Sequence, residues 1–106
     1  MYATGRSDGR TVVFGTVPIR TYAGEHLQLS LVDMPLGGVV GWHSHANEQM
    51  GMMVRGQARF QIGDEEKILG PGDFYFIPGN LRHRVEPVGG DAQALDIFYP
   101  IRDEYR

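Results

Sequence analysis

Short apolar segments recur along the chain, and glycine-bearing breaks separate them. The segments are rich in Val, Ile, Phe, Tyr and Met and cover residues 11–17, 26–34, 49–55, 57–62, 73–77, 83–88 and 92–100. Short strands at this spacing, with turn signals between them, predict an antiparallel sandwich or barrel. No stretch of ten or more residues has a helical period, so any helix is expected to be a single turn. The pattern predicts an all-β fold.

Side chains along a strand alternate between its two faces, and this alternation sorts the polar candidates. Gln49 and Gly51 share one face of their segment, and Asp96 and Phe98 share one face of the last segment. Gly51 is expected to leave space inside the barrel that a larger residue would fill. The opposite faces are also apolar, and they carry Met50, Met52, Val54, Leu95, Ile97 and Tyr99. A strand that is apolar on both faces is covered on both, so the sequence predicts a homodimer.

The totals limit the partners and the location. The chain has 106 residues, a formal net charge of −3 and no cysteine. This charge gives no electrostatic case for nucleic acid or an anionic membrane, and a metal can be held only by His, carboxylate or amide groups. No long apolar run and no signal-peptide core is present, which predicts a soluble cytoplasmic protein. We expect a polar N-terminal arm over residues 1–10 and a single domain over residues 11–106.

Three histidines and one glutamine form the candidate metal site. His43 and His45 are two residues apart, so on a strand they point to the same face, and Gln49 and His83 complete the set. These groups can hold one divalent metal ion, and Zn, Ni, Fe and Mn all remain candidates. The alternative is a metal-free sandwich in which the histidines are ordinary polar strand residues. Three histidines at this spacing favour the metal, whereas His26 lies outside the pattern.

The spacing is Gly37-x5-His43-x-His45-x3-Gln49-x6-Gly56, followed by Gly72-x5-Pro78-x-Asn80-x2-His83. This pattern resembles the two signature motifs of the cupin superfamily. The resemblance implies an antiparallel double-stranded β-helix, a jelly-roll barrel with the metal inside. Asn80 replaces the usual glycine and tolerates a left-handed backbone. Gln49 replaces the usual glutamate ligand, so the ion keeps its full charge, which favours Lewis-acid chemistry over redox chemistry.

The C-terminal segment supplies further candidate site residues. Asp96 is expected to point into the barrel as a general acid/base with a raised pKa, and Phe98 to form a wall beside it. Arg102 is expected at the mouth of the pocket, where it can hold an anionic substrate. The alternatives are structural pairs: Asp96 with Arg84 or Arg59, and Arg102 with Asp103 or Glu104 in solvent.

Taken together, the histidine and glutamine motifs and Asp96-x-Phe98-x-Pro100-x-Arg102 resemble the bacterial pectin-degradation cupins. This resemblance implies metal ligation by three histidines and a glutamine, and catalysis by Asp96, Phe98 and Arg102. It also implies an isomerase-like or lyase-like ring opening of 4,5-unsaturated monouronates to linear 4-deoxy-5-keto uronates. The alternatives are another cupin isomerase, lyase or dioxygenase acting on a small organic acid, or a non-catalytic module that binds a small anion.

Overall fold

The structure is a computed structural model that describes residues 1–4 and 9–106. Within these residues it contains eight strands and one single-turn 3₁₀ helix at Asp103–Tyr105. The strands are β1 (Arg10–Phe14), β2 (Val17–Ala23), β3 (Gln28–Met34), β4 (Val40–His43), β5 (Glu48–Ile62), β6 (Glu65–Leu69), β7 (Phe74–Ile77) and β8 (His83–Tyr99). The all-β prediction is confirmed. The predicted N-terminal arm includes residues 5–8, which lie outside the described residues.

Several predicted strand boundaries differ from the observed ones. The segment predicted over residues 11–17 is broken by a turn at Gly15, and β2 and β6 were not predicted as strands. Conversely, Gly56 does not separate two strands but lies within the continuous strand β5. Gly56 has φ of 71°, and a Cβ there would meet the carbonyl oxygen of Asp91 at 2.3 Å. This glycine therefore lets β5 bend against its neighbour instead of ending it.

The two long strands, β5 and β8, carry the antiparallel sheet. They pair with each other along most of their length, with register shifts on β5 between Met53 and Gln57. The last part of β8 pairs with β3, and its first part pairs with β4. In the same way β5 pairs with β7 through its first part and with β6 through its last part. Both strands thus connect the two halves of a jelly roll.

The inward faces enclose an apolar core and several polar side chains. Met34, Met53 and Phe98 are among the largest fully buried side chains. Gln28 and Ser30 are also fully buried, so the inner face of β3 contributes polar groups to the barrel interior. No helix in the described part of the chain is long and apolar enough to cross a membrane.

The expected space above Gly51 is occupied, so that prediction was wrong. Gly51 pairs with Tyr75 of β7 on one side and with Asp96 of β8 on the other. A Cβ at Gly51 would lie 2.3 Å from the hydroxyl and ring of Tyr75. The tyrosine ring therefore crosses the middle strand at its glycine and reaches the strand beyond.

Candidate metal centre and pocket

The first two histidines lie at the end of β4, and only one of them is on the strand. His43 is the last residue of β4, whereas His45 follows in the loop before β5, so the prediction that both lie on a strand was wrong. The loop position of His45 is fixed by the backbone N–H of Asn80, which donates to the His45 carbonyl at 2.7 Å. Asn80 has φ of 68°, the left-handed conformation expected for it. Asn80 of the second motif thus holds His45 of the first motif in position.

His83 is the first residue of β8 and pairs directly with His43. The ring centroids of His43 and His83 are 4.2 Å apart, and those of His45 and His83 are 5.0 Å apart. One ligand nitrogen from each of the three rings lies within 4.8 Å of the others. His26 is exposed and lies outside this group. The barrel therefore brings together residues that are far apart in the sequence.

Each of the three rings is oriented by a backbone carbonyl. The Nδ1 atoms of His43, His45 and His83 lie 2.8, 3.0 and 2.8 Å from the carbonyl oxygens of Gly41, Asn47 and Leu81. A carbonyl only accepts, so each Nδ1 carries the proton and donates it. The Nε2 atoms are left with their lone pairs, as is required of histidine ligands to a metal.

The electrostatics keep these rings neutral. Burial lowers the pKa of His43 and His45, and it lowers the pKa of His83 to about 4. The nearby charge of Arg102 acts in the same direction on all three rings. The Nε2 of His83 is buried and has no hydrogen-bond partner. An unpartnered buried nitrogen is costly unless another group, such as a cation, binds it.

Gln49 adds a second indication of a cation. Its Oε1 lies 3.0 Å from the Nε2 of His45, while the Nδ1 of the same ring faces the carbonyl of Asn47 at 3.0 Å. Both oxygens are acceptors, and a neutral imidazole has only one N–H to donate. One nitrogen lone pair therefore faces an oxygen lone pair, an arrangement that a bound cation would stabilise. Three imidazoles and one amide oxygen fit a divalent metal ion.

Asp96 lies inside the barrel beside this group, on the same face of β8 as Phe98. Its carboxylate accepts a hydrogen bond from the Tyr75 hydroxyl and another from the Gln49 side chain. Burial raises the pKa of Asp96 to about 6, against the opposing effect of these hydrogen bonds and of the Arg102 charge. Neither structural pair considered for Asp96 forms.

The two arginines considered as partners of Asp96 lie in a different ion-pair network. Arg59 pairs with Glu66 and Glu86, and Arg84 pairs with Glu86. All these groups are at least partly exposed, whereas Asp96 is buried. Asp96 therefore keeps its carboxylate directed into the pocket.

Arg102 is buried in the barrel, with only 7% of its surface exposed, whereas the sequence predicted a position at the mouth. Its guanidinium lies 4.1 Å from the ring centroid of Tyr105 and 5.4 Å from that of Phe98. The Gln28 side chain holds its backbone by accepting from the Arg102 N–H at 3.0 Å and donating to the Arg102 carbonyl at 3.4 Å. The C-terminal segment thus folds back into the barrel.

Glu104 is the ion-pair partner of Arg102. The Nε and Nη2 atoms of Arg102 both lie 2.8 Å from Oε1 of Glu104. The glutamate side chain is 58% exposed while the arginine side chain is 8% exposed, so the pair bridges the interior and the solvent. The structural alternative considered from the sequence is therefore present in part: Arg102 pairs with Glu104, but the arginine side of the pair is buried and not in solvent.

One pocket, with a free volume of about 40 Å³, is lined by three of the candidate ligands, His43, Gln49 and His83, and by Asp96, Phe98 and Arg102. Such a volume holds on the order of three water molecules. The rings of Phe98 and His45 are in edge-to-face contact, with centroids 5.6 Å apart, and Phe98 forms the expected wall.

Tyr75 contributes to the pocket and was not identified from the sequence, which also could not decide whether Gln28 faces inward. Tyr75 is 4% exposed and reaches Asp96 across Gly51. Gln28 is fully buried and positions Arg102. Alternation on β7 puts Tyr75 and Ile77 on one face, but the direction of that face depends on the pairing of β7 with β5.

We expect the purified protein to carry one divalent metal ion per chain and to lose stability when the metal is removed. A metal that binds only the folded state stabilises it by about 2.7 kcal/mol at a concentration of 100 times Kd. The His83→Ala variant should show no metal-dependent rise in melting temperature, whereas His26→Ala should retain it. Scanning calorimetry with and without a chelator measures the melting temperatures, and elemental analysis measures the metal content. Equal melting temperatures for the wild-type protein in the two conditions would contradict the expectation.

Comparison with known proteins shows the family. The family model described as "Cupin domain" matches residues 30–98, and no curated protein matches the sequence. An RmlC-like cupin from Shewanella frigidimarina aligns with a TM-score of 0.88 at 19% identity, covering 99% of this chain and 95% of that one.

Two further solved structures are similar. KdgF from Halomonas sp. has a TM-score of 0.80 at 27% identity, with 92% of this chain and 89% of that chain covered. An oxalate decarboxylase variant from Bacillus subtilis has a TM-score of 0.84 at 21% identity, covering 96% of this chain and 30% of that chain. The motif spacing, the jelly roll and the family match agree, and the chain belongs to the cupin domain family.

Proposed function

We propose that this protein is a metal-dependent enzyme that opens 4,5-unsaturated monouronates to linear 4-deoxy-5-keto uronates. The observation that carries the proposal is the position of Asp96 and Arg102, both buried in the pocket beside the three histidines. One offers a carboxylate for proton transfer, and the other offers a guanidinium for the substrate carboxylate. The resemblance to pectin-degradation cupins and the similarity to KdgF support this choice of substrate.

The reaction is an isomerisation that requires proton transfer and no oxidant. The anomeric hydroxyl loses its proton, a C1 carbonyl forms, and the bond from C1 to the ring oxygen breaks. The ring oxygen then becomes the C5 ketone as C4 gains a proton. A divalent ion in the histidine site supplies Lewis-acid polarisation of a substrate oxygen. Zn, Ni, Fe and Mn remain candidates, and the neutral amide of Gln49 leaves the ion with its full positive charge.

The protein side chains have separate roles in this proposal. Asp96 accepts and returns the proton, and its pKa of about 6 leaves it mainly ionised at neutral pH and still able to be protonated. Arg102 holds the uronate carboxylate, and Phe98 limits the pocket on the side of His45. The inward position of these groups leaves little room for water, which favours proton transfer within the pocket.

We expect Asp96→Asn to lower turnover by about 10²–10⁴-fold at saturating metal, because the amide cannot accept the proton. The assay follows the loss of the enol-ether absorbance of an unsaturated monouronate. Arg59→Gln, which removes a partly exposed charge that does not line the pocket, serves as the control and should retain turnover. Normal turnover in Asp96→Asn would remove Asp96 from the mechanism.

The same assay tests the alternatives. Oxygen consumption with Fe(II) and no loss of the uronate band would favour another cupin reaction on a small acid. A ligand that raises the melting temperature and is recovered unchanged would favour a binding module. The buried Arg102 is compatible with an anionic ligand in either case.

Glu104 forms an ion pair with Arg102, the residue that the proposal assigns to the substrate carboxylate. A carboxylate from the chain binds the Arg102 guanidinium at 2.8 Å, so a substrate carboxylate must displace it. In this proposal the displaced Glu104 side chain, which belongs to the single-turn helix Asp103–Tyr105, turns away from the guanidinium. The contact between Arg102 and Glu104 thus represents the substrate-free arrangement in this proposal.

Removal of this competition should strengthen substrate binding. We expect Glu104→Gln to lower the KM for the uronate by about two- to fivefold, since the Glu104 side of the ion pair is in solvent and ion pairs screened by solvent contribute up to about 1 kcal/mol. Asp103→Asn removes the same charge from the neighbouring residue and should leave KM close to the wild-type value. Steady-state kinetics measure both variants. An unchanged KM in Glu104→Gln would show that Glu104 does not compete with the substrate.

A homodimer is the proposed assembly, and the outer face of the sheet supports it. Two apolar rows cross β3, β8, β5 and β7 on this face. One row is Leu29, Ile97, Met50 and Phe76, and the other is Leu31, Leu95, Met52 and Phe74. Phe74 and Phe76 are each more than 60% exposed. An uncharged surface of this kind can pair with the same surface of a second copy around a two-fold axis.

We expect Ile97→Lys to convert the dimer to a monomer, because it places a charge in the centre of the apolar face. Ile68→Lys is the matched control, since Ile68 is on β6 and is exposed to 46%, against 40% for Ile97. Sedimentation velocity of the two variants and the wild-type protein measures the mass. A monomeric wild-type protein, or an Ile97→Lys variant that remains a dimer, would contradict this assembly.

Cytoplasmic location remains a prediction from the sequence.

A further inference from the structure

Gln49 differs from the histidines because its side chain has two chemically different ends. The amide presents an oxygen at one end and an NH₂ group at the other, and only the oxygen can bind a metal ion. The same side chain fits the same space in either orientation. A glutamine ligand therefore needs a neighbouring group that distinguishes the two ends, which a glutamate ligand does not.

The structure contains such a group on the adjacent strand. Gln49 and Gly51 follow each other on the inner face of β5, and Asp96 pairs with Gly51 from β8. The Gln49 side chain is hydrogen-bonded to the Asp96 carboxylate, while its Oε1 lies 3.0 Å from the Nε2 of His45. A carboxylate only accepts, so the NH₂ end faces Asp96 and the oxygen faces the histidines.

Tyr75 holds the carboxylate in this position from the other side. Its hydroxyl donates to Oδ1 of Asp96, and its ring reaches there because Gly51 has no side chain. Tyr75, Asp96 and Gln49 are all buried, at 4%, 7% and 7% exposure, so water does not replace these contacts. Asp96 is therefore the acceptor in both contacts: the Tyr75 hydroxyl donates to it from one side and the Gln49 NH₂ group from the other.

We propose that Asp96, held by Tyr75, is a positioning residue that fixes the orientation of the Gln49 amide and thereby keeps its oxygen directed at the metal. This role deepens the proposed function, since it rests on the same metal site. It is independent of proton transfer by Asp96. Outer partners of metal ligands commonly change metal affinity by about 10–100-fold when they are substituted.

The Asp96→Asn variant tests whether Asp96 decides which end of the Gln49 amide points at the histidines. The Tyr75 hydroxyl still donates to the oxygen of the new amide, so the NH₂ group of that amide faces Gln49. Two NH₂ groups then oppose each other, and the Gln49 amide turns so that its own NH₂ group points at the histidines. In the Gln49→Glu background both ends are oxygens, and no orientation is lost.

The experiment measures retention of Zn²⁺ by metal-loaded protein during titration with a chelating indicator. We expect Asp96→Asn to raise the Kd for Zn²⁺ by about 10–100-fold in the Gln49 protein and by less than about threefold in the Gln49→Glu protein. Tyr75→Phe should change the Kd in the same direction and by a smaller factor, again only when Gln49 is present. Circular dichroism of each variant confirms that it is folded.

Three outcomes would overturn the proposal. An equal loss of affinity in both backgrounds would mean that Asp96 acts only through its charge, and no loss in the Gln49 protein would mean that it does not orient the amide. If Asp96→Asn does not fold, equal effects of Tyr75→Phe in the two backgrounds would have the same meaning as the first outcome. A wild-type protein that retains no Zn²⁺ would instead reject the metal site and the proposed function together.

Discussion

The direction of three imidazole lone pairs is the constraint on which the rest of the pocket depends. Backbone carbonyls accept hydrogen bonds from the Nδ1–H groups of His43, His45 and His83, so the Nε2 atoms converge in the interior. Burial keeps the rings neutral, and the Gln49 oxygen adds another acceptor. A cluster of acceptors in a region of low dielectric requires a cation or protons. The cupin barrel thus brings together neutral acceptor groups, and its three histidines could hold a metal ion.

The pocket is organised in rows across the inner face of the sheet. Tyr75, Gly51 and Asp96 form one row across β7, β5 and β8, and Ile77, Gln49 and Phe98 form the next. The first row contains the carboxylate, and the second contains the amide beside the histidines. Because Gln49 and Asp96 are diagonal neighbours on adjacent strands, the carboxylate is held within reach of the amide. One glycine makes this arrangement possible by admitting the tyrosine ring.

The C-terminal segment completes the pocket and also restricts it. Arg102 enters the barrel beside Phe98, and the Gln28 side chain holds its backbone at both the N–H and the carbonyl. Glu104 neutralises the guanidinium from the solvent side. The positive charge of Arg102 is therefore balanced by a carboxylate of the chain itself.

The sequence by itself determined the all-β fold, the cupin resemblance and the set of candidate ligands, because strand alternation and motif spacing are local properties. It also placed Asp96 and Phe98 on one face of β8, as the structure does. Tertiary structure alone decided that His45 leaves the strand, that Tyr75 fills the space at Gly51, and that Arg102 is buried. These features depend on which strands become neighbours and on how a terminal segment folds back. Such contacts join residues that are distant in the sequence, so a local sequence pattern cannot predict them.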